Sequence, residues 1–254
     1  MCLIGIAWRA HPKHPLVLAA NRDEFHQRPS APAAAWKDHP EIFGGRDLSS
    51  HGSWLAVSTR GRLAAVTNVR RMVPPDPRAP SRGKLVSEFL AGSAAADRYA
   101  QGLTEDAGNY SGFNLLLYDG AALLFVSNTP EFRVEPVAPG IHTISNATLD
   151  TPWPKALRLK AALEKWTTDS WETLTPLFTA LGDRKPAADA ELPNTGVGRT
   201  LEKMLSPPFI VSPNYGTRCS TVVTLGASKI EFSEKRFEPG GVESGRTEKQ
   251  LALG

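Results

Sequence analysis

The stretch CLIGIAWRAHPKHPLVLAANRDE, Cys2 to Glu24, carries the reading of the fold. It opens on an apolar, β-prone run (Cys2 to Arg9) and breaks at His11-Pro12-Lys13-His14-Pro15. A second apolar run, Leu16 to Ala20, ends in four polar residues, Asn21-Arg22-Asp23-Glu24. Two such runs joined by a proline-bearing turn predict an antiparallel hairpin. The hairpin lays the end of its second strand beside the start of its first, so the polar tetrad is expected next to Cys2.

The same grammar repeats outward. Ser53 to Ser58 and Arg62 to Asn68 flank the turn Thr59-Arg60-Gly61, and Gly112 to Tyr118 and Ala121 to Ser127 flank Asp119-Gly120, a strong short hairpin signal. Thr217 to Leu225 and Lys229 to Phe232 form a fourth pair, with Lys235 to Glu238 as a further short strand. Helix formers fill Lys84 to Ala91 and Ala94 to Leu103. Ala156, Leu159, Leu163 and Trp166 recur at helical spacing behind an Asp150-Thr151-Pro152 cap, and Trp171 to Leu181 and Thr200 to Leu205 complete the helices. Val73 to Pro80 and Arg184 to Gly198 read as loops. Hairpins alternating with helix pairs predict an α+β chain of antiparallel sheets with helices layered outside them. No boundary separates two self-sufficient patterns, so residues 1–254 are read as one domain.

Of 254 residues, 41% are hydrophobic and 22% charged, which excludes disorder as the main state. No apolar run approaches the roughly 18–20 residues of a membrane helix, and no basic leader precedes the first apolar stretch. A cytoplasmic location is expected. The 29 basic and 26 acidic residues are interspersed, so the concentrated basic face of a nucleic-acid binder is missing. Two cysteines, Cys2 and Cys219, make neither a disulfide scaffold nor a zinc site. No Gly-x-Gly-x-x-Gly and no phosphate-binding loop motif occurs.

Cys2 is the most informative position. Removal of Met1 would expose a thiol and an α-amine on one residue, with ordinary pKa values near 8.5 and 8. Such a residue holds its own nucleophile and base; the alternative is a small hydrophobe opening a strand. Asp23 is placed to orient that amine, and a nearby arginine would favour the thiolate. Asn68 and Asn146 close strands, where side-chain amides can donate to a developing oxyanion. Arg218 begins an apolar strand, either as a charge in a cleft or as a strand-end cation. Cys219 is expected to be buried and structural, and the six histidines exposed or structural.

Met1-Cys2, the Asn21 to Glu24 tetrad, Gly44-Gly45-Arg46-Asp47, GRLAAVTNVR (61–70), YSGFNLL (110–116), SNATLDTPWPK (145–155) and YGTRCSTV (215–222) follow one another in order. Together they resemble the NRDE family, also called the transport and Golgi organization protein 2 family, over nearly the whole chain. That family is similar to the cysteine-type N-terminal nucleophile hydrolases, the penicillin V acylase and bile salt hydrolase group. The resemblance implies a four-layer αββα sandwich of antiparallel sheets. It implies Cys2 as nucleophile, Asp23 as orienter of its amine, Asn68 in the oxyanion hole, and Asn146 and Arg218 as the remaining polar groups. Asn21, Arg22, Glu24, Trp54 and Arg70 are expected to contact a ligand, with Trp8, Trp36, Trp54 and Trp153 as possible apolar walls.

One departure stands out. The hydrolase pattern Arg-Asn-x-Asp, aligned on Asn21 and Asp23, puts Ala20 at the arginine position. Arg22 then falls one residue out, an offset expected to turn it to the opposite side of the strand. The family resemblance implies haem trafficking and lipid or acyl-CoA metabolism. Two functions follow: a carrier of haem or an acyl-CoA-like ligand with no required cofactor and no metal, or a hydrolase of acyl-amide or acyl-thioester bonds through an acyl-Cys2 intermediate.

Overall fold

The computed structural model describes residues 2–70, 76, 78–169 and 173–254. In chain order its elements are strands β1 (Cys2–Trp8), β2 (Leu16–Phe25), β3 (Ser30–Ala35), β4 (Ile42–Asp47), β5 (Leu55–Ser58) and β6 (Arg62–Asn68), then helices α1 (Gly83–Ala91) and α2 (Ala96–Gly102). Strands β7 (Phe113–Tyr118), β8 (Leu123–Ser127), β9 (Arg133–Pro136) and β10 (Gly140–Ile144) precede helices α3 (Pro154–Thr168), α4 (Thr175–Leu181) and α5 (Arg199–Met204). Strands β11 (Tyr215–Leu225), β12 (Lys229–Glu238) and β13 (Val242–Ala252) end the chain. Contacts divide it into two compact units, one running to Gln27 and resuming over Pro139–Leu251, the other spanning Arg28–Ala138 and Ala252–Gly254.

The first unit is a six-stranded sheet ordered β10-β1-β2-β11-β12-β13, antiparallel at the pairs that carry the site. The expected first hairpin is there, with Leu3 opposite Asn21 and Cys2 opposite Arg22. Alternation sorts its residues by face. Leu3, Ala7, Val17, Ala19 and Val222 share a core with Leu159, Leu163 and Trp166 of α3 and Leu177 and Leu181 of α4. Gly5 lies in the same row, where a Cβ would come within 2.5 Å of Leu163 Cδ1 and 2.8 Å of Leu159. Cys2, Ile4, Ile6 and Trp8 occupy the other face.

The second unit is an antiparallel seven-stranded sheet in sequence order from β3 to β9. Its core joins Ala64, Val66, Leu115, Leu117 and Val126 of the sheet to Leu85, Val86, Phe89 and Leu90 of α1. Gly44 permits the close approach of β4 and β5, since a Cβ there would meet Leu55 O at 2.7 Å and Ala56 Cβ at 2.6 Å.

Several elements differ from the sequence reading. The tetrad Asn21 to Glu24 continues β2 as far as Phe25. Lys235 to Glu238 belongs to one continuous β12 and not to a separate strand, while β3, β4, β9 and β13 come from stretches without a strand signal. Helix α3 starts from Trp153 with Pro154 in its first turn and no side-chain cap. Asp150 instead has φ 57° and accepts the Thr143 amide at 2.9 Å and meets His142 Nδ1 at 2.6 Å. Helix α4 begins at Thr175; Trp171 and residues 73–75 and 77 of the 73–80 loop lie outside the described residues. Among the described residues no helix is long and apolar enough to cross a membrane.

Candidate functional site around Cys2

Register places Cys2 opposite Arg22 and Arg22 opposite Cys219, so the three side chains share one face of the first unit's sheet. Ala20 is opposite Ile4 on that same face. The expectation that Arg22 turns away from the side of position 20 is therefore overturned. Residues 20 and 22 are two apart, and the strand period of two keeps them together. The guanidinium of Arg22 is buried beside the thiol and lies 3.9 Å from Glu24 Oε2. Burial raises the Cys2 thiol above its ordinary value and the Asp23 charge adds to the rise, against the lowering effect of Arg22 and of the Asp23 main-chain N–H donated to it. Burial also raises Cys219 well above that value, which fits a structural cysteine.

The other face holds Asn21 and Asp23. Asn21 Nδ2 donates to Leu181 O at 2.8 Å and to Pro208 O at 2.9 Å, and its Oδ1 accepts Ser220 Oγ at 2.6 Å. In place of the ligand contact expected from sequence, the structure gives Asn21 the task of fastening α4 and the 207–210 segment to β2. Asp23 Oδ1 accepts Thr217 Oγ1 at 2.7 Å, and that hydroxyl in turn accepts the Ile210 amide at 2.9 Å. Burial raises the Asp23 carboxyl above the usual range; Lys155, the Thr217 hydrogen bond and Arg22 oppose the rise.

Arg218 is the extra residue of a β-bulge, because the register jumps from Asp23–Thr217 to Arg22–Cys219. Its Nη1 donates to the carbonyls of Phe25 and His26, both at 3.0 Å, closing the end of β2. Asn146 is buried two residues beyond β10. Ser145 Oγ lies 3.0 Å from Cys2 O and 3.3 Å from Asn146 Oδ1, so one hydroxyl proton serves the Cys2 carbonyl and the Asn146 amide oxygen. In the first unit, then, Cys2, Arg22, Asp23 and Asn146 cluster about the start of β1.

Asn68, Trp54, Arg70 and Trp36 lie in the second unit, and Trp8 and Trp153 in the first. Asn68 closes β6 opposite Phe113. The Trp54 indole lies against Gly45, where any Cβ would collide with its ring. Arg70 follows β6 at the edge of the described residues. Trp8 and Trp36 are buried, and Trp36 Nε1 donates to Gly44 O at 3.0 Å, so neither lines an open wall. Trp153 packs on the core of the first unit.

Sequence reasoning passed over Lys155, Thr217, Ser145, Ser220 and Glu234. Lys155 is 2% exposed and stands at four-residue spacing from Leu159 and Leu163, on the apolar stripe of α3. Glu234 is equally buried and continues the inward alternation of Ile230 and Phe232. A charge at an inward-facing position was the available signal in both cases. Among the described residues no three His, Cys, Asp or Glu side chains form a metal-binding group.

Comparison with solved structures gives the fold. A conjugated bile acid hydrolase from Clostridium perfringens, studied as its C2A mutant, superposes with a TM-score of 0.54 at 10% identity, covering 99% of this chain and 92% of the other. A Caenorhabditis elegans N-acylethanolamine-hydrolyzing acid amidase ortholog gives 0.51 at 8% identity, covering 87% and 92%. The α+β fold is thus that of the N-terminal nucleophile hydrolases, as the motifs implied. The Homo sapiens Transport and Golgi organization protein 2 homolog is 34% identical over 92% of both chains, and the Drosophila melanogaster Transport and Golgi organization protein 2 is 27% identical over the same shares. The family model described as Transport and Golgi organisation 2 matches residues 1–239, and with these likenesses the chain belongs to that family.

Proposed function

We propose that this protein is a cytoplasmic carrier that binds haem or an acyl-CoA-like ligand at a pocket inherited from a hydrolase. The observation that carries the reading is the use made of the polar residues around Cys2. Arg218 Nη1 donates to two main-chain carbonyls and Asn21 Nδ2 to two more, with Ala20 where the hydrolase resemblance puts an arginine. A thiol whose pKa is raised by burial is largely protonated at neutral pH, which weakens it as a nucleophile.

The test is a haem titration followed at the Soret band. Saturable binding at micromolar haem or tighter, retained by Cys2→Ala, supports the carrier; weak, non-saturating adsorption overturns it.

A second reading, acyl transfer, is favoured by one feature: Cys2 sits within reach of Asp23 and Asn146, and Arg22 lies beside its sulfur. Intact mass shows whether Met1 is removed. With the amine exposed, the enzyme reading expects turnover of acyl amides or acyl thioesters that Cys2→Ala abolishes. Equal rates in the two proteins reject it.

A further inference from the structure

On the helix-bearing face of the first unit's sheet, away from the thiol, the chain folds around a pocket of about 260 Å³ that the site around Cys2 does not use. Its apolar surface comes from Met204, Pro207, Phe209 and Val211, and its two cations are Arg184 and Lys203. The guanidinium of Arg184 lies over the Phe209 ring at 4.8 Å and donates one N–H to Gly241 O at 2.7 Å. Lys203 Nζ contacts Asp189 Oδ1, a carboxylate that is itself largely exposed. The pocket thus pairs a small apolar surface with two cations, one of which already holds a carboxylate.

Its floor is fixed from beneath. Pro208 O is held by Asn21, Phe209 N donates to Asp183 O at 2.9 Å, and Ile210 exchanges hydrogen bonds with Thr217, whose hydroxyl is bound to Asp23. The inward-facing members of the Asn21 to Glu24 tetrad therefore set the shape of this pocket before any ligand arrives, which lowers the ordering penalty of binding.

We propose that the pocket is a ligand site for a small aliphatic carboxylate, with the anion between Arg184 and Lys203 and the chain against Met204, Phe209 and Val211. The pocket is half open to solvent, and its volume of about 260 Å³, filled at a density of about 0.75, holds at most roughly ten heavy atoms, the size of an eight-carbon acid. The carboxylate replaces Asp189 as the partner of Lys203, and the planar guanidinium of Arg184 offers a fork matched to two oxygens. The site is independent of Cys2 and of the carrier reading, so either can fail while the other stands.

The experiment is calorimetric titration of the full chain with octanoate, octanol and octylammonium. Saturable one-to-one binding of octanoate is expected, with octanol weaker by about tenfold, or 1.4 kcal/mol, and octylammonium weaker still. Arg184→Gln brings octanoate down to the octanol level, and Met204→Trp, which fills the cavity, removes binding of both. Circular dichroism confirms that each variant is folded, and the comparison of three ligands on the unaltered protein needs no variant at all. Equal affinity for octanoate and octanol overturns the proposal, as does a folded Met204→Trp protein that binds octanoate normally. Octanoate that fails to saturate below its micellar concentration does the same.

Discussion

Asn21 shows how far a signature residue's task can differ from the one its place beside Cys2 suggests. Both amide protons and the amide oxygen are committed to partners distant in sequence: Leu181, Pro208 and Ser220. Replacing it by Ala leaves two buried carbonyls and a buried hydroxyl without their partner. Asn21→Ala should lower stability by about 2–4 kcal/mol, the sum expected for losing buried hydrogen bonds of this kind. Urea unfolding checks it; a loss below about 0.5 kcal/mol, the range of ordinary surface changes, would contradict the fastening role. Its proximity to Cys2 was legible from the hairpin. Its direction follows from the strand period, which sets Asn21 and Arg22 on opposite faces, but giving both residues a ligand contact passed over it. Its partners were not, because α4 and the 207–210 segment meet β2 only through tertiary packing.

Among elements, the first hairpin joins its neighbours through a glycine and a ring stack. Gly5 leaves room for α3, and its row is filled by Leu159 and Leu163. Gly5→Ala should therefore displace the helix and destabilise by about 1–3 kcal/mol, as overpacking does, measurable as a fall in thermal midpoint. An unchanged midpoint would mean that α3 yields without strain. At the turn, His11 stacks on Trp166 and on His14, each with ring centroids 4.9 Å apart. Burial lowers both histidine pKa values below the ordinary 6.5, and the two rings disfavour joint protonation. Below pH 6.5 the unfolded chain binds more protons than the folded one, so stability is complete above that pH and declines as pH falls beneath it. The double variant His11→Gln/His14→Gln should flatten this decline between pH 6.5 and 5; an identical slope would assign the pH dependence to other groups. Hairpins with apolar alternation were legible in sequence. Strand β13 was not, because VESGRTEKQLA is a mostly exposed edge strand with little apolar face to signal it. Strand β3, rich in alanine with a proline inside, lacks the β-branched and aromatic residues that mark strands.

At the scale of the molecule, the N-terminal nucleophile hydrolase fold was legible because motifs at both ends of the chain name it, and structural likeness at 8–10% identity shows it. Of the candidate residues, Cys2, Asp23 and Asn146 lie within one unit, the first two side by side as the hairpin reading expects, and Arg22 joins Cys2 against the expectation that it turns away. What escaped notice was the second layer of that unit, Lys155, Thr217 and Ser220, whose roles depend on elements more than a hundred residues away in sequence. That distance has a consequence in time. The strand bearing Cys2 is flanked in its sheet by β10 and β2, and β2 is completed only by β11, which ends at Leu225. Ribosomes add about 5–20 residues per second, so roughly 10–45 s separate the synthesis of β1 from that of β11, the strand that borders β2 on its other side. During that interval β1 and β2 lack the strand that ties their hairpin to β12 and β13, so the polar residues at the end of β2 wait for β11 before their sheet is complete.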